Sequence, residues 1–142
     1  MFHYSRVQDI KKLRVVERAR RLGVAAYRLT DAFPASERFG LAAQMRRAAV
    51  SIGSNIAEGC GRRTNRELLS FLYIASGSAS ELEFQLQMAH DLGFGNPRDR
   101  ETVMEALLVT RRMLSRLIVF LRSQPVWRHG HAPNHPNSRN LP

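Results

Sequence analysis

Apolar residues recur along this chain at intervals of three and four, and no segment reads as a strand. Val15, Ala19, Leu22, Ala26, Leu29 and Phe33 step by four, three, four, three and four. That spacing predicts one stripe on a helix from about Asp9 to Phe33. The stretch "FPAS" then breaks the pattern, because Pro34 lacks a backbone donor and disfavours helix at Phe33. A second helix is expected after Ser36 as N-cap, with Leu41, Met45, Ala49, Ile52 and Ile56 as its seam. It should end near 59–63, where Gly59 and Gly61 supply left-handed backbone angles.

The third helix carries the clearest start signal. "TNRE" sets Thr64 as N-cap and Glu67 three residues on, a capping box. Leu68, Leu72, Ala75, Ala79, Leu82, Leu86 and Ala89 form its seam, and Gly93 should stop it. Asn96 as cap and Pro97 at the first helical position announce the fourth. Val103, Leu107, Thr110, Leu114, Leu117 and Leu121 face inward, and Pro125 ends it. With short connections, these four segments predict an all-α, up-down-up-down four-helix bundle over 9–124. Residues 1–8 read as an N-terminal arm. Residues 125–142, rich in Pro, Asn and His, read as a disordered or loosely attached tail.

The 142 residues suit one domain with a real core. Cys60 is the single cysteine, so no intrachain disulfide and no cysteine-based zinc site is possible. No apolar run approaches membrane-spanning length. A cytoplasmic protein with no membrane partner is expected.

Charge changes the picture more. The chain holds 22 Lys+Arg against 12 Asp+Glu, a formal net charge of +10. Lys11 and Lys12 are the only lysines; every other cation of the set is arginine. The guanidinium fork matches phosphate geometry, so the bias favours a polyanion partner over a neutral one. Lys11, Arg14, Arg18, Arg21 and Arg28 share one face of helix one. Like charges so spaced cost a helix a few tenths of a kcal/mol per pair, so helix stability does not explain them. Arg111, Arg112, Arg116 and Arg122 add positive charge to helix four.

The segment "SIGSNIAEGCGRRT" places three glycines before two arginines. A phosphate loop of the Walker type needs a Gly-Lys-Ser/Thr ending between a strand and a helix. Here the flanks are helical, lysine is missing and the spacing fails. The glycines read as a helix corner, with Gly53 allowing close helix approach or a kink. Arg62 and Arg63 stand beside the N-terminus of helix three, whose free amides favour an anion.

Helix two also carries a polar stripe: Gln44, Ala48, Ser51, Asn55 and Glu58. Interhelix or intersubunit hydrogen bonding fits it better than catalysis, since Glu58 has no neighbouring His or second carboxylate. Arg46 or Arg47 is expected to pair with Glu81 or Glu83 of the acidic third helix. Phe33, Phe39, Phe71, Phe84 and Phe120 read as at or near core positions, leaving no base-stacking series among the arginines. Cys60 stands close enough to Arg62 and Arg63 for a lowered pKa, but lacks a His–Asn or His–Asp arrangement. His129, His131 and His135 lack the carboxylate or cysteine that would complete a metal site. No catalytic residue, metal or cofactor is expected.

Residues 39–94, "FGLAAQMRRAAVSIGSNIAEGCGRRTNRELLSFLYIASGSASELEFQLQMAHDLGF", resemble the four-helix bundle family of 23S rRNA intervening-sequence proteins, the S23 type. The block "RRAAVSI-x-SNIAEG" and the helix "FLYIA-x-GS-x-x-E-x-E-x-Q" carry the likeness together, and "YRLTDAFP" extends it into helix one. The resemblance implies a bundle that assembles as a ring, with pentamers described, and no established enzymatic activity. It also implies an RNA connection. Related accessory variability proteins of diversity-generating retroelements bind a reverse transcriptase and nucleic acid. A non-enzymatic homo-oligomer binding structured RNA or a ribonucleoprotein is therefore expected, with a reverse-transcriptase adaptor as the alternative. The expected phosphate contacts are Lys11, Arg14, Arg18, Arg21, Arg28, Arg62, Arg63, Arg112 and Arg116. The expected oligomer or interhelix contacts are Arg46, Arg47, Ser51, Asn55, Glu58, Glu81 and Glu83.

Overall fold

A computed structural model describes residues 2–124. Among the described residues there are helices and turns and no strand. Helix α1 spans Phe2–Asp31, α2 Leu41–Cys60, α3 Asn65–Leu92 and α4 Pro97–Arg122, with one 3-10 turn at Ala35–Glu37. Each helix packs on its neighbours in sequence, and α4 closes against α1. Short connections force successive helices antiparallel. The result is the up-down-up-down four-helix bundle that the periodicity predicts.

The predicted seams are the core. Every seam residue of α1, α3 and α4 is buried, and so are Met45, Ala49, Ile52 and Ile56 of α2. Only Leu41 is half-buried; Ala42 takes the core position in that first turn. Leu22, Leu29, Ile52, Leu72, Leu82 and Leu107 are fully enclosed. Burying each such side chain contributes roughly 1.5–3 kcal/mol relative to leaving it in water.

Helix ends follow local chemistry. Thr64 Oγ1 accepts the Glu67 backbone N–H at 3.2 Å, and the Glu67 carboxylate accepts the Thr64 N–H, completing the capping box. Asn96 accepts the Arg98 N–H at 2.7 Å, with Pro97 opening α4. Gly93 closes α3 at φ 70°, a left-handed angle that glycine adopts without strain.

Three boundaries differ from the expectation. Helix α1 begins at Phe2, so 2–8 continue it and do not form a separate arm. Ser36 caps nothing: it is absorbed in the 3-10 turn after Pro34, and the Glu37 carboxylate accepts the first α2 amide, Leu41 N–H, at 2.9 Å. Gly59 and Gly61 are not left-handed. Gly61 sits at φ −84° and Gly59 is a buried helical residue. A Cβ on Gly59 would lie 2.9 Å from Phe71 Cβ and 3.0 Å from Leu68 Cδ1. The glycine is there because α2 and α3 approach closely. At Gly53 a Cβ would meet Ala19 Cβ at an ordinary 3.7 Å, and α2 runs through it unbroken.

The aromatic expectation also divides. Phe33 is buried against Phe94, ring centroids 5.6 Å apart, and Phe71 and Phe120 are half-buried. Phe39 and Phe84 are 87% and 62% exposed. Phe39 falls in the turn before α2, and Phe84 falls on the side of α3 away from Leu82 and Leu86.

Candidate nucleic-acid interface

The α1 and α4 helices meet along a cleft that their small and apolar residues leave open. Val24, Ala25, Ala106 and Val109 line it, and it encloses about 740 Å³. Arg18, Arg20, Arg21 and Arg28 of α1 border it, facing Asp99, Thr102 and Glu105 of α4. Farther along the same helix pair, a depression of about 190 Å³ is lined by Lys11, Arg14, Met113 and Arg116. Six of the expected phosphate contacts, Lys11, Arg14, Arg18, Arg21, Arg28 and Arg116, therefore border one seam. Lys11 and Arg28 are seventeen residues apart, so it extends about 25 Å at the helical rise of ~1.5 Å per residue. Arg112 stands exposed one turn before Arg116.

Most of this charge is uncommitted. Among the described residues, Arg21–Glu17 at 2.9 Å is the one ion pair on the α1 stripe, and both groups are more than half exposed. An exposed pair of that kind contributes little and yields readily to a stronger anion. Lys11 Nζ lies 4.2 Å from the Phe120 ring centroid, which steadies the side chain while leaving its charge. Arg20 was missed because it falls outside the three-four stripe. It borders the cleft because a helix side chain covers a wide arc of its neighbour's surface.

Arg62 and Arg63 belong to the α2–α3 corner and do not line the cleft. The up-down order places that corner at the same end of the bundle as the start of α1. Arg62 pairs with Glu58 at 2.8 Å and lies 4.8 Å from the Phe71 ring centroid; Arg63 is exposed. The Cys60 thiol sits half-buried beside Lys12 and Asp9. Burial pushes its pKa up; Lys12 lowers it in part and Asp9 raises it. The arginine-lowered thiol expected from sequence is thus replaced by a desolvated one.

The expected contact residues mostly work within the chain. Ser51 and Ser78 hydroxyls meet at 2.8 Å across α2 and α3, and Asn55 Nδ2 donates to the Ser51 carbonyl at 2.8 Å. Arg46 does not pair with Glu81 or Glu83. Its Nε donates to Thr30 Oγ1 at 2.8 Å, its Nη2 to Asp31 at 2.7 Å, and its guanidinium lies 4.6 Å from the Tyr27 ring centroid. Arg46 sits in the opening turns of α2, beside the end of α1, and thus reaches α1 before α3. Glu83 pairs instead with Arg111 of α4. Glu81 accepts from the Gln85 amide at 3.2 Å, and Arg47 is exposed.

A surface the charge pattern did not reveal lies on α3. Tyr73, Ile74, Phe84, Met88 and Leu92 are all exposed, and helical spacing puts them opposite the seam of Leu72, Ala75, Leu82 and Leu86. Phe84, Met88 and Leu92 step by four in the sequence, but the stronger inward seam masked them.

No helix is long and apolar enough to cross a membrane among the described residues. Those residues also contain no cluster of three His, Cys, Asp or Glu side chains that could hold a metal. The tail expectation and His129, His131 and His135 lie outside the described residues.

A family model described as 23S rRNA-intervening sequence protein matches residues 11–116. The crystal structure of a protein of unknown function from the S23 ribosomal protein family of Bacteroides thetaiotaomicron matches with a TM-score of 0.70. That match is 21% identical and covers 77% of this chain and 98% of the other, a likeness of fold. No curated protein matches the chain.

Proposed function

The chain belongs to the 23S rRNA-intervening sequence protein family, and from that premise we propose that it is a non-enzymatic binder of structured RNA. The α1·α4 cleft holds the phosphates, and copies of the chain assemble so that the cleft repeats. The observation that carries this reading is the line of cations along one seam, Lys11 and Arg14 through Arg18 and Arg21 to Arg28, with Arg116 opposite, of which Arg21 alone holds an ion pair, an exposed one, among the described residues. Helix stability gains nothing from such a line, whereas a phosphate backbone does, through counterion release. Among the described residues that line the cleft and the depression there is no aromatic ring, so contacts are to phosphate and shape, which suits a duplex or folded RNA over a single strand. Arg112 stands between the cleft and the depression and adds to the surface, and Arg63 adds charge at the α2–α3 corner. Repetition around an assembly multiplies a modest affinity. A cytoplasmic location accords with an RNA partner.

The test is a titration of a labelled RNA duplex with the purified chain across a salt series. Affinity is expected to fall steeply with salt, each phosphate contact adding about 0.9 to the log–log slope, taking the duplex DNA value as guide. The triple variant Arg14→Glu, Arg18→Glu, Arg21→Glu should keep its helicity and lose about 3 from that slope. Unchanged binding by the variant would refute the cleft. Indifference of the wild-type chain to RNA at low salt would refute RNA binding and favour a protein partner, such as a reverse transcriptase.

A further inference from the structure

Two apolar surfaces lie outside the α1·α4 cleft, the second sharing only Arg20, Val24 and Arg28 with its rim. The first is the outer ridge of α3. Tyr73, Ile74, Phe84, Met88 and Leu92 follow one another over nineteen positions, about 28 Å of helix. Phe84, Met88 and Leu92 form one patch at successive turns, with Tyr73 and Ile74 about ten residues before, and apolar patches so placed on an outer face mark a contact surface. Glu81, between the two patches, and Asp91, beside Leu92, are exposed and give this face two carboxylates, with Arg66 before it.

The second is a groove of about 600 Å³ between α1 and α2. Gly23, Gly53 and Ala57 keep it open, and Val24, Tyr27 and Val50 line it while remaining exposed. A Cβ at Gly23 would meet nothing within 4 Å, so the space is real. Arg20 and Arg28 border this groove. Asp31, at its end, is already held by Arg46. The groove is thus apolar with a cationic rim, and the ridge is apolar with carboxylates beside it. Ridge against ridge would oppose like charges, and so would groove against groove.

We propose that the α3 ridge of one copy of this chain seats in the α1·α2 groove of a second copy. The contact rests on and deepens the assembly part of the proposed function, and its test is read without RNA. Ridge and groove are different surfaces, so the contact is head-to-tail: each copy in a pair still has one free ridge or one free groove. The α3 corner and the α1·α2 side are not opposite faces of a four-cornered bundle. Successive copies therefore turn, which lets the series close.

The experiment is a mixing test read by light scattering without RNA. Phe84→Glu spoils the ridge and Val50→Glu spoils the groove; both sites are exposed, so circular dichroism should stay native. Wild type is expected to be larger than a monomer and each variant a monomer. An equimolar mixture should form a dimer and nothing larger, because one intact ridge meets one intact groove. Met88→Glu and Ala57→Glu provide a second pair if helicity falls in the first. A monomeric wild type, a variant that keeps wild-type mass, or a mixture that stays monomeric would each overturn the proposal. If the mixture dimerises while RNA binding fails in the salt titration, the assembly stands and the RNA reading alone falls.

Discussion

Two glycines six residues apart on α2 differ in the packing around them. Replacing glycine with alanine inside a helix gains up to about 1 kcal/mol. At Gly53 the new methyl would sit 3.7 Å from Ala19 Cβ, an ordinary contact. Gly53→Ala should therefore stabilise the chain by about 0.5–1 kcal/mol. At Gly59 the methyl would lie 2.9 Å from Phe71 Cβ and 3.0 Å from Leu68 Cδ1. Phe71 Cβ is anchored to the α3 backbone and cannot swing aside, so α2 and α3 must separate slightly. Overpacking of that kind costs about 1–3 kcal/mol. Gly59 is also one residue from the end of α2, where the helical gain is smallest. The two variants should then differ by about 1.5–4 kcal/mol, the gain at Gly53 plus the clash at Gly59. Urea unfolding followed by circular dichroism measures this, provided both variants keep the wild-type m-value. Samples should be matched in association state, because assembly adds concentration-dependent stability. Equal stabilisation by both substitutions would refute the close α2–α3 approach at Gly59.

Other residues give shorter tests. Arg46→Lys keeps the charge but cannot reach Thr30 and Asp31 together, and should cost about 1 kcal/mol in urea; the same loss in Arg47→Lys would remove the case for an α1–α2 strut. The Cys60 thiol has a raised pKa, so it should react with a maleimide more slowly at neutral pH than a free cysteine peptide; faster reaction would contradict its burial. For the same reason the native state retains the thiol proton longer than the unfolded chain. Its contribution to stability is intact below the free thiol's pKa and declines as pH rises past it. Cys60→Ala should remove that alkaline decline, as read by unfolding at several pH values.

Much of the bundle was legible because its signals are local. The three-four spacing of each seam fixes which side of a helix is apolar, and a helix buries that side wherever it lies. Thr64 with Glu67, Asn96 with Pro97, and Gly93 encode their boundaries within a few residues. Ser36 misled because cap preference is weak against a proline two residues earlier, which diverts the chain into a 3-10 turn and hands the first α2 amide to Glu37. Phe39 and Phe84 misled because hydrophobicity does not report direction. Both side chains are apolar, yet one lies in a turn and the other behind the seam.

The sequence by itself determined the helices, their inward faces, the antiparallel order and the basic stripe of α1. Each is a property of spacing along one helix or of a short loop. Only the tertiary structure decided which helix that stripe faces, and so joined Arg116 and Arg20 to it in the α1·α4 cleft. It alone moved Arg46 from α3 to Thr30 and Asp31, set Gly59 against Phe71 and Leu68, and left Phe84 outside. Those outcomes depend on distances between residues far apart in the chain, set by how closely neighbouring helices pack and at what rotation. Spacing within one helix carries no measure of either.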